Sequence, residues 1–199
     1  MIRALFGGSF DPVHRGHRHM VGELLERGLA DVVHVAPAWR SPFKDGTGAS
    51  PHHRLAMLRL AFADLDGVTI EDLEVVRGGA SFTVDTLRAL RVQHPDAKWR
   101  LVLGADAASG LADWREVGEL LDMADLIVFP RDGRQPNLAI YGTDATVVEG
   151  FADEESSTDI RAALEAGEVP EARLSAGVVN YIRRHRLYGL GESGGPACP

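Results

Sequence analysis

Two hydrophobic periodicities alternate along the chain. Short continuous apolar runs are followed by stretches in which apolar residues recur every third or fourth position. Ile2 to Leu5, Val32 to Val35, Leu101 to Leu103 and Leu126 to Phe129 read as buried strands. Between them, Met20, Leu24 and Leu25, then Leu55, Met57, Leu58 and Ala61, then Val84, Leu87 and Leu90, then Val117, Leu120 and Leu121 fall at helical spacing. Strand, helix and strand in succession predict βαβ units with right-handed crossovers. The fold class is therefore α/β: an open parallel sheet with helices on both faces, followed by C-terminal helices at Ser156 to Arg161 and Val178 to Ile182. Weaker signals add strand-like pieces at Val68 to Ile70 and Leu73 to Val76, and one strand at Thr146 to Val148. Ser50 before Pro51 predicts a helix start, Ser81 or Thr83 a cap, and Ser156 with Asp159 a capping box.

The stretch from Ala4 to His17, ALFGGSFDPVHRGH, joins the first strand to the first helix. Glycines let a backbone approach a ligand closely, and a helix start offers unpaired N–H groups with a positive partial charge. A phosphate satisfies both. His14 and His17, three positions apart at that start, lie on nearly one face and can both donate to phosphate oxygens. The G-x-G-x-x-G and G-x-x-x-x-G-K-[ST] spacings are absent. A metal site at His14, His17 and His19 lacks matching Cys or carboxylate ligands.

A second anion cradle is predicted at Ser157 and Thr158, with Arg161 one helical turn further on. The polar loop from Ala38 to Ala49 carries Lys44 to the carboxyl edge of the sheet, where open α/β sheets bind ligands. Asp106 ends the strand expected across the topological switch from the first. Its carboxylate can accept ribose hydroxyls, hold a hydrated Mg²⁺ or cap a helix. Trp114 offers a face for a flat ring.

Composition narrows the classes. At 199 residues the chain fits one domain, expected over residues 1–190 with a disordered tail at 191–199. A net charge of −8 argues against nucleic-acid binding but leaves a small anionic ligand open. Cys198 is the single cysteine, so no internal disulfide is possible and a reducing compartment is expected. No signal peptide and no apolar run of membrane-spanning length is seen, which predicts a cytoplasmic protein with no membrane partner. A homo-oligomer is left open.

Gly7-Gly8-Ser9-Phe10-Asp11-Pro12-Val13-His14-Arg15-Gly16-His17 resembles the G-G-[TS]-F-D-P-x-H-x-G-H signature of the nicotinate-nucleotide adenylyltransferases, within the H-x-G-H nucleotidyltransferases. The resemblance extends to S-S-T-x-[IL]-R at Ser156 to Arg161 and to a closing G-L-Y near Tyr188. It implies a Rossmann-like fold of nucleotidyltransferase type that joins ATP to nicotinate mononucleotide, with Mg²⁺ bound alongside ATP. By the same resemblance His14, His17 and Arg161 act on the phosphates. Gly7, Gly8, Ser9, Phe10, Lys44, Arg131, Ser156, Ser157 and Thr158 hold ATP, and Phe82, Thr83, Asp106 and Trp114 border the mononucleotide. No residue is assigned to a resident metal. The chain departs from the family at Ala38, Phe43, Arg115 and Glu155. Preference for nicotinamide mononucleotide, another phosphate acceptor, or a nucleotide-sensing role without turnover are the alternatives.

Overall fold

The computed structural model describes residues 1–40, 48–130, 145–151 and 155–190. Six strands, β1 (Ile2–Gly8), β2 (Val32–Pro37), β3 (Val68–Ile70), β4 (Lys98–Gly104), β5 (Asp125–Phe129) and β6 (Ala145–Val147), form one sheet in the order β3-β2-β1-β4-β5-β6. All five pairings are parallel. The helices described are α1 (Arg15–Glu26), α2 (Pro51–Ala61), α3 (Leu73–Arg77), α4 (Thr83–Gln93), α5 (Ala105–Ser109), α6 (Val117–Met123), α7 (Ser157–Glu165) and α8 (Ala176–His185).

Strand side chains alternate between two cores, as the pleat requires. Val33, Val35, Val102 and Ile127 face a core built with Val21 and Leu24 of α1, Met57 and Leu58 of α2, Ile160 and Leu164 of α7, and Val178 and Ile182 of α8. Leu5, Leu101, Leu103, Leu126 and Val128 face the other, built with Val84, Leu87 and Leu90 of α4 and Leu120 of α6. Helices therefore cover both faces, as the sequence predicts. The strand order reverses between β1 and β4, so the carboxyl ends of these two strands diverge into a crevice.

One predicted element changes type. Leu73 to Val76 belongs to α3 and not to a strand. Val75 is buried while Val76 is 79% exposed. Glu74, also buried, accepts the Thr86 hydroxyl at 2.6 Å and ties α3 to α4. A run this short carries too few positions to separate a helical turn from a strand. Among the described residues, no helix is long and apolar enough to cross a membrane. Lys44, Phe43, Arg131 and the expected tail at residues 191–199 lie outside the described residues.

Candidate active site

β1 ends in Gly7-Gly8 and hands the chain to a tight turn. Phe10 takes a left-handed backbone (φ 48°), a conformation uncommon for an aromatic residue, and its ring is buried. The ring packs edge-on against Phe6 at 5.3 Å and against His17 at 4.9 Å. A side chain on Gly8 would place its Cβ 3.0 Å from that ring, so glycine is what lets Phe10 fold back under the strand. Phe10 in turn supports the imidazole of His17.

His14 occupies the N-cap of α1, and its N–H donates to His17 Nδ1 at 3.2 Å. With Nδ1 accepting, a neutral His17 carries its proton on Nε2, the form that can donate to an anion. The two rings lie 3.7 Å apart. Both histidines line a cavity of about 690 Å³, together with Gly7, Gly8, Ser9 and Phe10.

Asp11 gathers distant segments beneath this turn. Its carboxylate accepts the N–H of Gly48 at 2.7 Å, the N–H of Ala49 at 3.0 Å and the hydroxyl of Tyr188 at 2.8 Å. Burial and the neighbouring Asp11 charge push the Tyr188 hydroxyl well above the ordinary tyrosine range. The Asp11 carbonyl accepts Arg161 Nη1 at 2.7 Å, and Arg161 Nη2 donates to Thr158 Oγ1 at 3.3 Å.

The cavity that holds His14 and His17 is therefore also lined by Ser156, Ser157, Thr158 and Arg161. Two details differ from the sequence expectation. Ser156 is the N-cap of α7, but its side chain makes no capping bond, so the box with Asp159 does not form. The Ser157 hydroxyl donates to the Pro12 carbonyl at 3.1 Å, joining the two helix starts directly. Glu155, at the edge of this cavity, pairs with Arg173 at 2.6 Å. Phe129, Pro130, Phe151 and Met20 supply an apolar wall. Phe151 carries no sequence signal for this position.

A second cavity of about 510 Å³ opens at the same β1 and β4 ends. Phe82, Thr83 and Trp114 line it, and Asp106, in the first turn of α5, lines both cavities. Gly7, Gly8, Ser9 and Gly104 are also common to the two. The Arg115 guanidinium lies over the Phe82 ring at 4.8 Å. Neither Ser81 nor Thr83 caps α4: the N-cap is Phe82, and Ser81 Oγ accepts the Trp39 N–H at 2.9 Å instead. A serine hydroxyl serves a loop as readily as a helix end, and the fold decides which is near.

Arg54 has no role assigned from the sequence pattern. It is fully buried in α2, and it donates to Ser9 O at 2.7 Å, Ala38 O at 2.6 Å, Trp39 O at 3.0 Å and Ala49 O at 3.2 Å. Burial lowers its pKa from the ordinary arginine value, while the charge of Asp11 works in the opposite direction. The available signal was a cation in line with Leu58 and Ala61, on the apolar face of a helix.

Fold and cavities together define a doubly wound α/β protein with two joined cavities at its switch point. Residues 5–163 match the cytidylyltransferase-like family model. A curated relative from Gemmatimonas aurantiaca, named "Probable nicotinate-nucleotide adenylyltransferase", is 37% identical over 195 residues, covering 94% of this chain and 92% of its own. A relative of the same name from Gloeobacter violaceus is 37% identical over 194 residues, covering 92% and 94%. The chain belongs to the cytidylyltransferase-like family and, within it, to the nicotinate-nucleotide adenylyltransferases. Plasmodium falciparum nicotinic acid mononucleotide adenylyltransferase complexed with NaAD shares the fold, with a TM-score of 0.80 at 18% identity over 96% of this chain and 98% of that one. The same Plasmodium protein complexed with APC gives a TM-score of 0.77 at 17% identity over the same shares.

Proposed function

We propose that this chain transfers the adenylyl group of ATP to nicotinate mononucleotide, giving nicotinate adenine dinucleotide and pyrophosphate. The observation that carries this reading is the pair of cavities that meet at Ser9, Gly104 and Asp106. One is furnished for phosphates by two helix starts, the other for a flat ring by Trp114 and Phe82. The names of the curated relatives and the NaAD complex of the structural neighbour support the same choice.

The chemistry asks little of the protein beyond placement. The 5′-phosphate of the mononucleotide is ionised at neutral pH and attacks the α-phosphorus in line; a P–O bond forms, and the bond to the β-phosphate oxygen breaks as pyrophosphate leaves. No side chain need be activated as nucleophile or base, so rate comes from alignment and charge stabilisation. His14 and His17 would donate to the α-phosphoryl oxygens beside the backbone of Gly7 to Phe10. Ser156, Ser157, Thr158 and Arg161 would hold the β and γ groups, with Lys44 and Arg131 assigned to ATP from the sequence alone. Trp114 and the Phe82-Thr83 edge would position the pyridine, and Asp106 the ribose.

Among the described residues, no group of three or more His, Cys, Asp or Glu side chains could hold a metal ion. Mg²⁺ would arrive on the triphosphate, as an ion that keeps several waters and uses few carboxylates, and Asp106, which lines the larger cavity, would hold it through water. When bound, the ion neutralises phosphate charge.

Pyrophosphate release with ATP and each mononucleotide in turn tests this reading. Turnover with nicotinate mononucleotide is expected. Turnover with only the nicotinamide form would move the substrate, and none with either would remove the transferase reading.

A further inference from the structure

Arg54 lines neither cavity, yet its bonds connect them. Nη1 holds the carbonyl of Ser9, which borders both cavities. Nη2 holds the carbonyls of Ala38, which lines the second, and of Trp39. The path continues from Trp39. Its N–H donates to Ser81 Oγ at 2.9 Å, and the Ser81 N–H donates to the Arg40 carbonyl at 3.1 Å. Ser81 leads directly to Phe82 and Thr83 on the wall of the second cavity. The guanidinium thus bonds the turn on the phosphate side to the segment that sets the ring-binding edge.

The guanidinium suits this task where other side chains do not. It carries five N–H donors in one rigid plane, and here they serve three separate segments, with Ala49 at the entry to α2 taking Nε. A lysine ammonium has three donors at one point and cannot span the same carbonyls. With the Ser9 carbonyl turned toward Arg54, the N–H across that trans peptide faces the opposite way.

We propose that Arg54 is a positioning residue for the reaction: by bonding Ser9, Ala38 and Trp39 at once, it fixes the spacing and angle between the two bound nucleotides while touching neither. This rests on the two-substrate reading above. In-line transfer depends on that angle, whereas the affinity of each nucleotide alone depends on contacts that Arg54 does not make.

The test compares wild type, Arg54→Lys and Arg54→Gln. For folded Arg54→Lys, kcat should fall about 10- to 100-fold, while the Kd of an ATP analogue and of nicotinate mononucleotide, each titrated alone, should stay within about threefold. Arg54→Gln, with fewer donors and no charge, should lose more kcat than Arg54→Lys under the same two titrations. A kcat per folded molecule within about twofold of wild type in Arg54→Lys overturns the proposal. So does loss of kcat matched by equal loss of both affinities. Failure of both variants to fold, judged by circular dichroism with saturating ATP analogue present, assigns Arg54 to stability alone and overturns it as well. An inactive wild-type protein would remove the transferase reading and this inference together, whereas an active wild type with an unimpaired Arg54→Lys removes the inference alone.

Discussion

Arg161 Nη1 lies 2.7 Å from the backbone carbonyl of Asp11, a bond between residues 150 positions apart. It fastens the first turns of α7 to the turn that leads into α1. Ser157 repeats the link at Pro12, and the Asp11 carboxylate extends it to Gly48, Ala49 and Tyr188. The starts of α1 and α7, each the positive end of a helix dipole, are thereby held as one surface. The spacing of phosphate groups bound there would be set by this bonded assembly before any ligand arrives.

His17 is expected to matter through its free-energy contribution to the transition state. His17→Ala should lower turnover on the order of 10²–10³-fold, the cost of deleting one preorganised donor. Steady-state pyrophosphate release, with folding checked by circular dichroism, measures it. A loss of only a few-fold would show that His17 serves α1 and Phe10 and not the phosphate.

Trp114→Ala should separate the two cavities functionally. Only the smaller one is lined by Trp114. The KM for nicotinate mononucleotide should rise about tenfold, in the range of lost aromatic stacking and cation–π contact, with the KM for ATP little changed. Equal damage to both constants would assign the tryptophan to the core.

Gly48→Ala should disturb the larger cavity by crowding Tyr188 and Arg161. An added Cβ would stand 2.8 Å from the Tyr188 ring and 3.2 Å from Arg161 Cδ. Tyr188 is buried and its hydroxyl is engaged, so the ring cannot simply swing away. Denaturant melts should show a loss of about 1–3 kcal/mol, typical of overpacking, together with weaker ATP binding as Arg161 is displaced. Unchanged stability would mean that the segment at Gly48 moves freely.

Tyr188 gives a pH signature. Its folded pKa is raised above the ordinary value of 10.0, chiefly by burial and then by Asp11. Below pH 10 both folded and unfolded chains keep the proton, and the contribution is fully present. Above pH 10 the unfolded chain ionises first, so stability falls as pH rises. Tyr188→Phe should remove that part of the alkaline slope. At neutral pH it should cost about 1 kcal/mol for the lost hydrogen bond, a Tm lower by about 2–4 °C. Identical alkaline slopes in both proteins would show that the hydroxyl is not the group responsible.

Much of the fold is legible in the sequence because its strands are buried on both faces and its helices on one. The continuous run at Leu126 to Phe129 and the spaced series at Val84, Leu87 and Leu90 each have one simple reading. Leu73 to Val76 does not, being too short to display a period. Hydroxyl roles are least legible at Ser81, read as a cap, and at Ser157, read as an anion donor, since both bond to loops that only the folded sheet brings near, whereas Ser50 caps α2 as the sequence predicts. Arg54 and Asp11 were hidden for a related reason: their partners lie in segments separated along the chain, and a composition of one buried charge says nothing about which carbonyls or amides surround it.

The most direct test is a crystal structure with a non-hydrolysable ATP analogue. The triphosphate should lie across both helix starts, with hydrogen bonds from the His14 and His17 side at one end and from Arg161 and the first-turn amides of α7 at the other. A triphosphate bound to only one of these helix starts, or outside the crevice between β1 and β4, would contradict the account.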